Sequence, residues 1–295
     1  MERVKNFFVS LLSNQFYILC CVVYFVLTWL MIGGKLSSFI VTLITYIISI
    51  TIALSPLGEA IMRFIYDARA IETKREKQYL YPIFEEVYEQ AQELFPQIQK
   101  IQLYITGEMY INAFALGRKT VAVTKGAIQS LSEDELKGII AHEIGHIVRG
   151  HTKALLITTI GNGLFTGIIV INQIALGIIE FIATLISGKN SLIGILFWLL
   201  KNMVNLLLIA FMFVIQIILA VNSRRNEYQA DYFAYEIGYG GNLVEALYIL
   251  YDMEMYKKLS LKEKIMMRLK DSHPHLAKRI GRLETIIDGE EIEQE

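Results

Sequence analysis

At 295 residues with 54% hydrophobic content, the chain is too apolar for an ordinary soluble enzyme, yet 19% of it is charged, so the apolar residues must be segregated. That composition predicts a membrane protein with a soluble part. A net charge of −1 argues against nucleic acid as a partner, because phosphates require a clustered basic surface. The two cysteines, Cys20 and Cys21, are adjacent inside an apolar run and have neither the separation of a stapling disulfide nor the spacing of a zinc site.

In chain order, four apolar runs approach the ~20 residues that cross a bilayer: Phe16 to Ile32, Phe39 to Leu54, Leu155 to Ser187 and Leu192 to Val221. The first is read as a retained anchor rather than a secretory signal, since a second run follows at once without a small-residue cleavage site. Arg3 and Lys5 precede the first run, a basic stretch from Arg63 to Lys77 follows the second, Arg149 and Lys153 precede the third, and Arg224 and Arg225 follow the fourth. The opposite loops offer only Lys35 and Lys189. The charge asymmetry predicts four spans with both termini in the cytoplasm. The expected organisation is an N-terminal transmembrane hairpin (1–56), a first cytoplasmic block (57–153), a second transmembrane hairpin (154–221) and a second cytoplasmic block (222–295), the two blocks folding together.

Between the hairpins, Ile71 to Leu94 has the spacing of an amphipathic helix, and the alternating Lys100 to Thr106 reads as a strand. Asn112 to Leu116 and Thr120 to Thr124 form a predicted hairpin about Gly117-Arg118-Lys119. Ser132 followed by Glu135 is a capping box, so a helix is expected to begin near Glu133.

That helix carries His142-Glu143-Ile144-Gly145-His146. Two histidines four residues apart are turned by about 40° around a helix, so both imidazoles reach one metal ion while the glutamate beside the first approaches a water there. For a third ligand, His151 lies about 180° around a continuing helix from His142 and is expected to face away, so that replacing it should spare the metal. It also misses the metzincin position, which Thr152 occupies. Glu227 is the better candidate, because Glu227 and Asp231 share a helical face: the first can bind metal while the second accepts the other ring N–H of a ligating histidine.

With these stretches, and with Asn112-Ala113-Phe114-Ala115, Val121 to Gly126, Ser223 to Asp231 and Ser272 to Ile280, the sequence resembles the HtpX-type membrane peptidases, relatives of the CAAX prenyl proteases, over roughly its whole length. The resemblance implies an α-helical membrane protein with four transmembrane helices and a mainly α, α+β gluzincin-type peptidase domain carrying a small β-sheet. It implies one Zn2+ per subunit bound by His142, His146 and Glu227, Glu143 as general base, and Asp231 behind a ligand. It further implies an edge strand at Asn112, Ala113, Phe114 and Ala115 that holds substrate backbone, and His273 as a stabiliser of the tetrahedral intermediate. Arg279 matches a recurrent arginine with no assigned task. His275 stands where the family usually has a second proline.

The expected reaction is metal-assisted hydrolysis of peptide bonds in membrane-protein substrates, in the cytoplasmic (inner) membrane, without a protein nucleophile. Oligomerisation is open. A transporter would need more ionisable residues along its spans than Glu180 and Lys201. An intact Glu143 argues against a silent zinc scaffold, and prenyl-protein processing is the alternative within the enzyme class. Glu180 and Lys201 lie at comparable depths from the Gly188 to Ser191 loop, where they can pair or can snorkel separately.

Overall fold

The apolar runs of the sequence all fall within helices of the computed structural model, which describes residues 15–188, 192–255 and 275–289. Helix α1 (Gln15–Met31) and helix α2 (Leu36–Ala53) form an apolar hairpin closed over Gly33 and Gly34. Ser55 caps the short helix α3 (Pro56–Ile65), with Pro56 at a position where the missing N–H costs nothing. Among the described residues, Leu36–Ala53 is the one helix long and apolar enough to cross a membrane, and Ile18–Leu30 and Gln173–Ile186 are shorter apolar stretches. Of the four expected spans, one is thus long and apolar enough to cross a membrane, and the other three runs are helical.

Helix α4 (Lys74–Leu94) starts three residues later than the periodicity suggests, because Thr73 and Glu76 close a reciprocal cap there. Its buried face, Leu80, Ile83, Phe84, Val87 and Ala91, repeats at helical spacing and packs into the core. Strands β1 (Arg69–Ala70), β2 (Gln102–Thr106), β3 (Ala113–Leu116) and β4 (Thr120–Thr124) make one sheet in the order β1-β2-β4-β3. The hairpin β3–β4 is antiparallel, as its sequence predicts, but β4 also pairs parallel with β2, Leu103 facing Val121. β4 is buried along its whole length, which suits a central strand, and β3 is left at the sheet edge. The β3–β4 turn is held from two sides: the Arg118 N–H donates to Glu59 of α3 at 2.5 Å, and the Thr152 hydroxyl donates to the Gly117 carbonyl.

After helix α5 (Lys125–Ser130) comes the central helix α6 (Glu133–Val148). Its Ser132–Glu135 capping box has both reciprocal bonds, and three acidic residues in the first turn suit the positive end of the helix dipole. From Leu136 to Ile147 nearly every residue is buried, because α4, the sheet and two later helices pack around it. Gly138 permits the closest of these approaches: a side chain there would run into the backbone of Asn242 and Leu243.

Gly150, with φ of 81°, ends the α6 segment, and helix α7 (His151–Leu156) sets off in a new direction. A π-helical turn (Ile157–Gly161) and Asn162 separate it from helix α8 (Gly163–Ser187). That irregular turn is tied to α2, where the Ser49 hydroxyl donates to the Gly161 carbonyl at 3.0 Å and the Tyr46 hydroxyl donates to the Asn162 side chain. Helix α9 (Leu192–Glu236) continues without interruption for 45 residues from the apolar run into the core around α6. Glu180 of α8 and Lys201 of α9 pair at 2.5 Å, so of the two readings open in the sequence the ion pair is the one formed. Helices α10 (Gly240–Met255) and α11 (Leu276–Ile287) complete the core, α10 against α6 and α11 against both α9 and α10.

Candidate metal centre

Because α6 crosses α9 at close range, with Gly145 set against Ala230 and Phe233, the HExxH face meets the Glu227–Asp231 face inside the protein. His142 Nε2 lies 3.1 Å from His146 Nε2 and 3.4 Å from Glu227 Oε2, and His146 Nε2 lies 3.3 Å from Glu227 Oε1. Four donors at ~2.0 Å from a tetrahedral zinc ion stand ~3.3 Å apart. The three observed separations, of which the two to Glu227 involve different oxygens of its carboxylate, are of the length of those edges, and two imidazoles with one carboxylate are the donor set of an open zinc site. These three residues can therefore hold such an ion and leave a fourth position for water or substrate.

The groups behind the donors are equally ordered. His142 Nδ1 donates to Asp231 Oδ1 at 2.9 Å, leaving Nε2 to face the centre. Arg279 of α11, 5% exposed, forks onto Asp231 through Nε (2.9 Å to Oδ2) and Nη2 (2.6 Å to Oδ1), while its Nη1 lies 3.2 Å from Glu227 Oε2. Arg279 Nη2 also passes 3.3 Å from His142 Nδ1, but both nitrogens carry hydrogen in this arrangement, so the contact is not a bond. The arginine that had no task in the sequence thus joins both carboxylates of the centre.

Burial disfavours charge throughout this cluster, and the pairing overrides it. At His142, burial and the Arg279 charge oppose protonation, yet the Asp231 and Glu227 carboxylates raise the pKa to about 9 in the metal-free protein. At Asp231, burial opposes ionisation, but Arg279 and His142 hold the carboxyl below its usual range. Burial likewise works against the Arg279 charge, and the two carboxylates push its pKa higher still.

Glu143 follows His142 directly on α6 and is 9% exposed. The edge strand β3 packs beside α6, with Ala113 and Ala115 buried and Phe114 half-buried, and its outer edge makes no strand pairing among the described residues. Asn112, just before it, is exposed and fastened by its backbone to Thr124: its N–H donates to the threonine hydroxyl at 3.1 Å, and its carbonyl accepts from the Thr124 N–H at 3.0 Å. His273 lies outside the described residues. His275 begins α11: its Nδ1 accepts from the Ala277 N–H at 3.3 Å, and its φ of −51° is one a proline ring would also adopt. Histidine thereby keeps a proline-like bend and adds a cap.

One expectation is overturned. His151 does not face away: it is 6% exposed, with Nδ1 3.0 Å from His146 Nδ1 and Nε2 3.0 Å from Gln229 Oε1. The expectation assumed one continuing helix, whereas the left-handed backbone at Gly150 resets the phase and turns His151 back toward the centre. Burial first, and the neighbouring His146 next, push its pKa down to about 3, which keeps the ring neutral.

A buried two-histidine, one-carboxylate donor set on crossed helices, with a glutamate beside it and a sheet edge alongside, defines a metallopeptidase. Residues 74–287 match peptidase family M48. The chain is 29% identical over 215 residues to Protease HtpX of Shewanella sp. (strain MR-4), covering 69% of this chain and 73% of that protein. It is 30% identical over 215 residues to a Protease HtpX homolog of Desulfotalea psychrophila, covering 68% of this chain and 72% of that one. Its fold is similar to the crystal structure of S. mikatae Ste24p, with a TM-score of 0.51 and 22% identity, covering 94% of this chain and 64% of that longer chain. The chain belongs to peptidase family M48 and is a metallopeptidase of the HtpX type.

Proposed function

We propose that this protein is a zinc-dependent endopeptidase of the membrane that cuts cytoplasmic segments of membrane proteins, misfolded or damaged ones foremost. The observation that carries the reading is the donor triangle of His142, His146 and Glu227, whose 3.1 to 3.4 Å edges fit zinc and whose third corner rides on the helix that continues from an apolar run.

His142, His146 and Glu227 would hold a zinc ion whose Lewis acidity would polarise a carbonyl and acidify a nearby water. Glu143 takes the proton from that water and passes it to the leaving amine. Asp231 keeps His142 in the tautomer with Nε2 free, and Arg279 holds Asp231 and Glu227 in register against their mutual repulsion. The outer edge of β3 accepts substrate as an added strand, so recognition reads main chain and tolerates many side chains, as quality-control proteolysis requires. His273 donates a hydrogen bond to the developing oxyanion. No side chain attacks the peptide, so no acyl-enzyme accumulates.

In the proposed topology the four runs cross the bilayer, and 57–153 and 222–295 form one cytoplasmic peptidase domain. Basic residues flanking the cytoplasmic ends support this orientation. Six residues of continuous helix separate Val221 from Glu227, a rise of ~9 Å, which keeps the centre close to the membrane surface and favours extended segments over folded domains.

The test is digestion of a misfolded membrane protein by the purified chain in detergent. Cleavage should stop on zinc chelation, return with zinc, and fall by at least ~100-fold in Glu143→Gln. Cleavage surviving Glu143→Gln would overturn the mechanism, and cuts mainly in distant soluble domains would overturn the substrate assignment.

A further inference from the structure

When two imidazoles meet nitrogen to nitrogen, one must give the hydrogen and the other receive it, and here the surroundings fix which. His151 Nε2 stands 3.0 Å from Gln229 Oε1. A carbonyl oxygen only accepts, so His151 Nε2 carries hydrogen and, in a neutral ring, its Nδ1 carries the lone pair. His146 Nδ1, 3.0 Å away, must then be the donor. Its own Nε2 is left bare, directed at the point it shares with His142 Nε2 and Glu227. Reversing the Gln229 amide would reverse the chain: His151 Nδ1 would donate, and the hydrogen of His146 would move to Nε2, where a cation needs the lone pair.

We propose that His151 is a positioning residue which, oriented by Gln229, fixes His146 in the tautomer and ring direction that metal binding needs. It is the counterpart of Asp231 at His142. The two arms differ in kind: an anion tethered by Arg279 supports one imidazole, and a neutral histidine tethered by an amide supports the other. Burial of His151 at the start of α7, together with the left-handed backbone at Gly150 that turns it inward, holds the ring at this contact. The inference rests on reading His142, His146 and Glu227 as the metal ligands.

The experiment compares His151→Leu, His151→Asn and His151→Gln in the full chain in detergent, measuring Zn2+ affinity by chelator competition and the visible absorption of the Co2+-loaded protein. Asn places its Oδ1 where the histidine Nδ1 stood and can accept from His146, whereas Gln is as polar but has no acceptor at that point, and Leu has none at all. Zn2+ affinity should drop about 10- to 100-fold in Leu and Gln, with an altered Co2+ band, and Asn should recover most of the loss. Affinity in Leu and Gln equal to the parent overturns the proposal. So does equal weakness of Asn and Gln in folded protein, which would make the role one of packing; the Asn–Gln pair keeps the test decisive even where Leu does not fold. Glu227→Ala separates the two levels. Metal lost there but kept in His151→Leu sinks only the role of His151, and metal kept in Glu227→Ala sinks the centre itself.

Discussion

Each polar side chain at the centre answers to a specific partner, which makes the consequences of single changes distinct. Glu227→Ala deletes one donor and also frees Arg279 Nη1, 3.2 Å from it, so a buried cation loses part of its neutralisation. Zinc content and activity should fall together in that variant, by at least ~10-fold, as checked by metal analysis of purified protein alongside cleavage assays. Arg279→Lys should be poorly tolerated, because a single ammonium cannot fork onto Asp231 and reach Glu227 as well; the expected result is weaker zinc binding with the protein still folded. At this scale the HExxH spacing was legible because it depends only on helical periodicity. The approach of His151 was not legible, since one positive-φ glycine breaks the periodicity from which its direction was inferred. Nor was the role of Arg279, because its two partners, Asp231 and Glu227, lie on α9, far from it along the chain.

Among the elements, those with local signals read well and those defined by crossings did not. The Ser132 cap, the Gly117–Lys119 turn and the apolar face of α4 are written in short stretches of sequence, and the structure has each of them within a few residues. The parallel pairing of β2 with β4 has no local signature, since it joins strands that are separated in sequence by β3. Gly138 is similar: it looks like a weak point within a helix until α10 is seen lying across it. Gly138→Ala should raise intrinsic helix propensity yet lower stability by about 1–3 kcal/mol, because the methyl group meets backbone that cannot rotate away. Thermal unfolding of the purified variant checks the sign, which propensity alone would predict to be opposite.

For the molecule as a whole, composition and charge asymmetry announced segregated apolar and polar parts, and the structure joins them through α9, whose 45 residues run from the apolar segment to Glu236. At ~1.5 Å per residue that helix is ~67 Å long, about twice the ~30 Å hydrocarbon core of a bilayer. Its far half carries the Lys201–Glu180 pair and its near half carries Glu227 and Asp231. Exchanging the two charges as Glu180→Lys with Lys201→Glu should restore the folded yield that either single reversal lowers, as measured by detergent-solubilised expression; tolerance of each single reversal would show the pair to be dispensable. In the proposed topology the unbroken helix makes the protein something like an oar through a hull. A small change of tilt in the lipid would swing the blade, and with it Glu227, one of the three side chains proposed to hold the ion. In that topology, thickness and tension in the surrounding bilayer would become inputs to the chemistry, received by a single stiff shaft rather than relayed through loops.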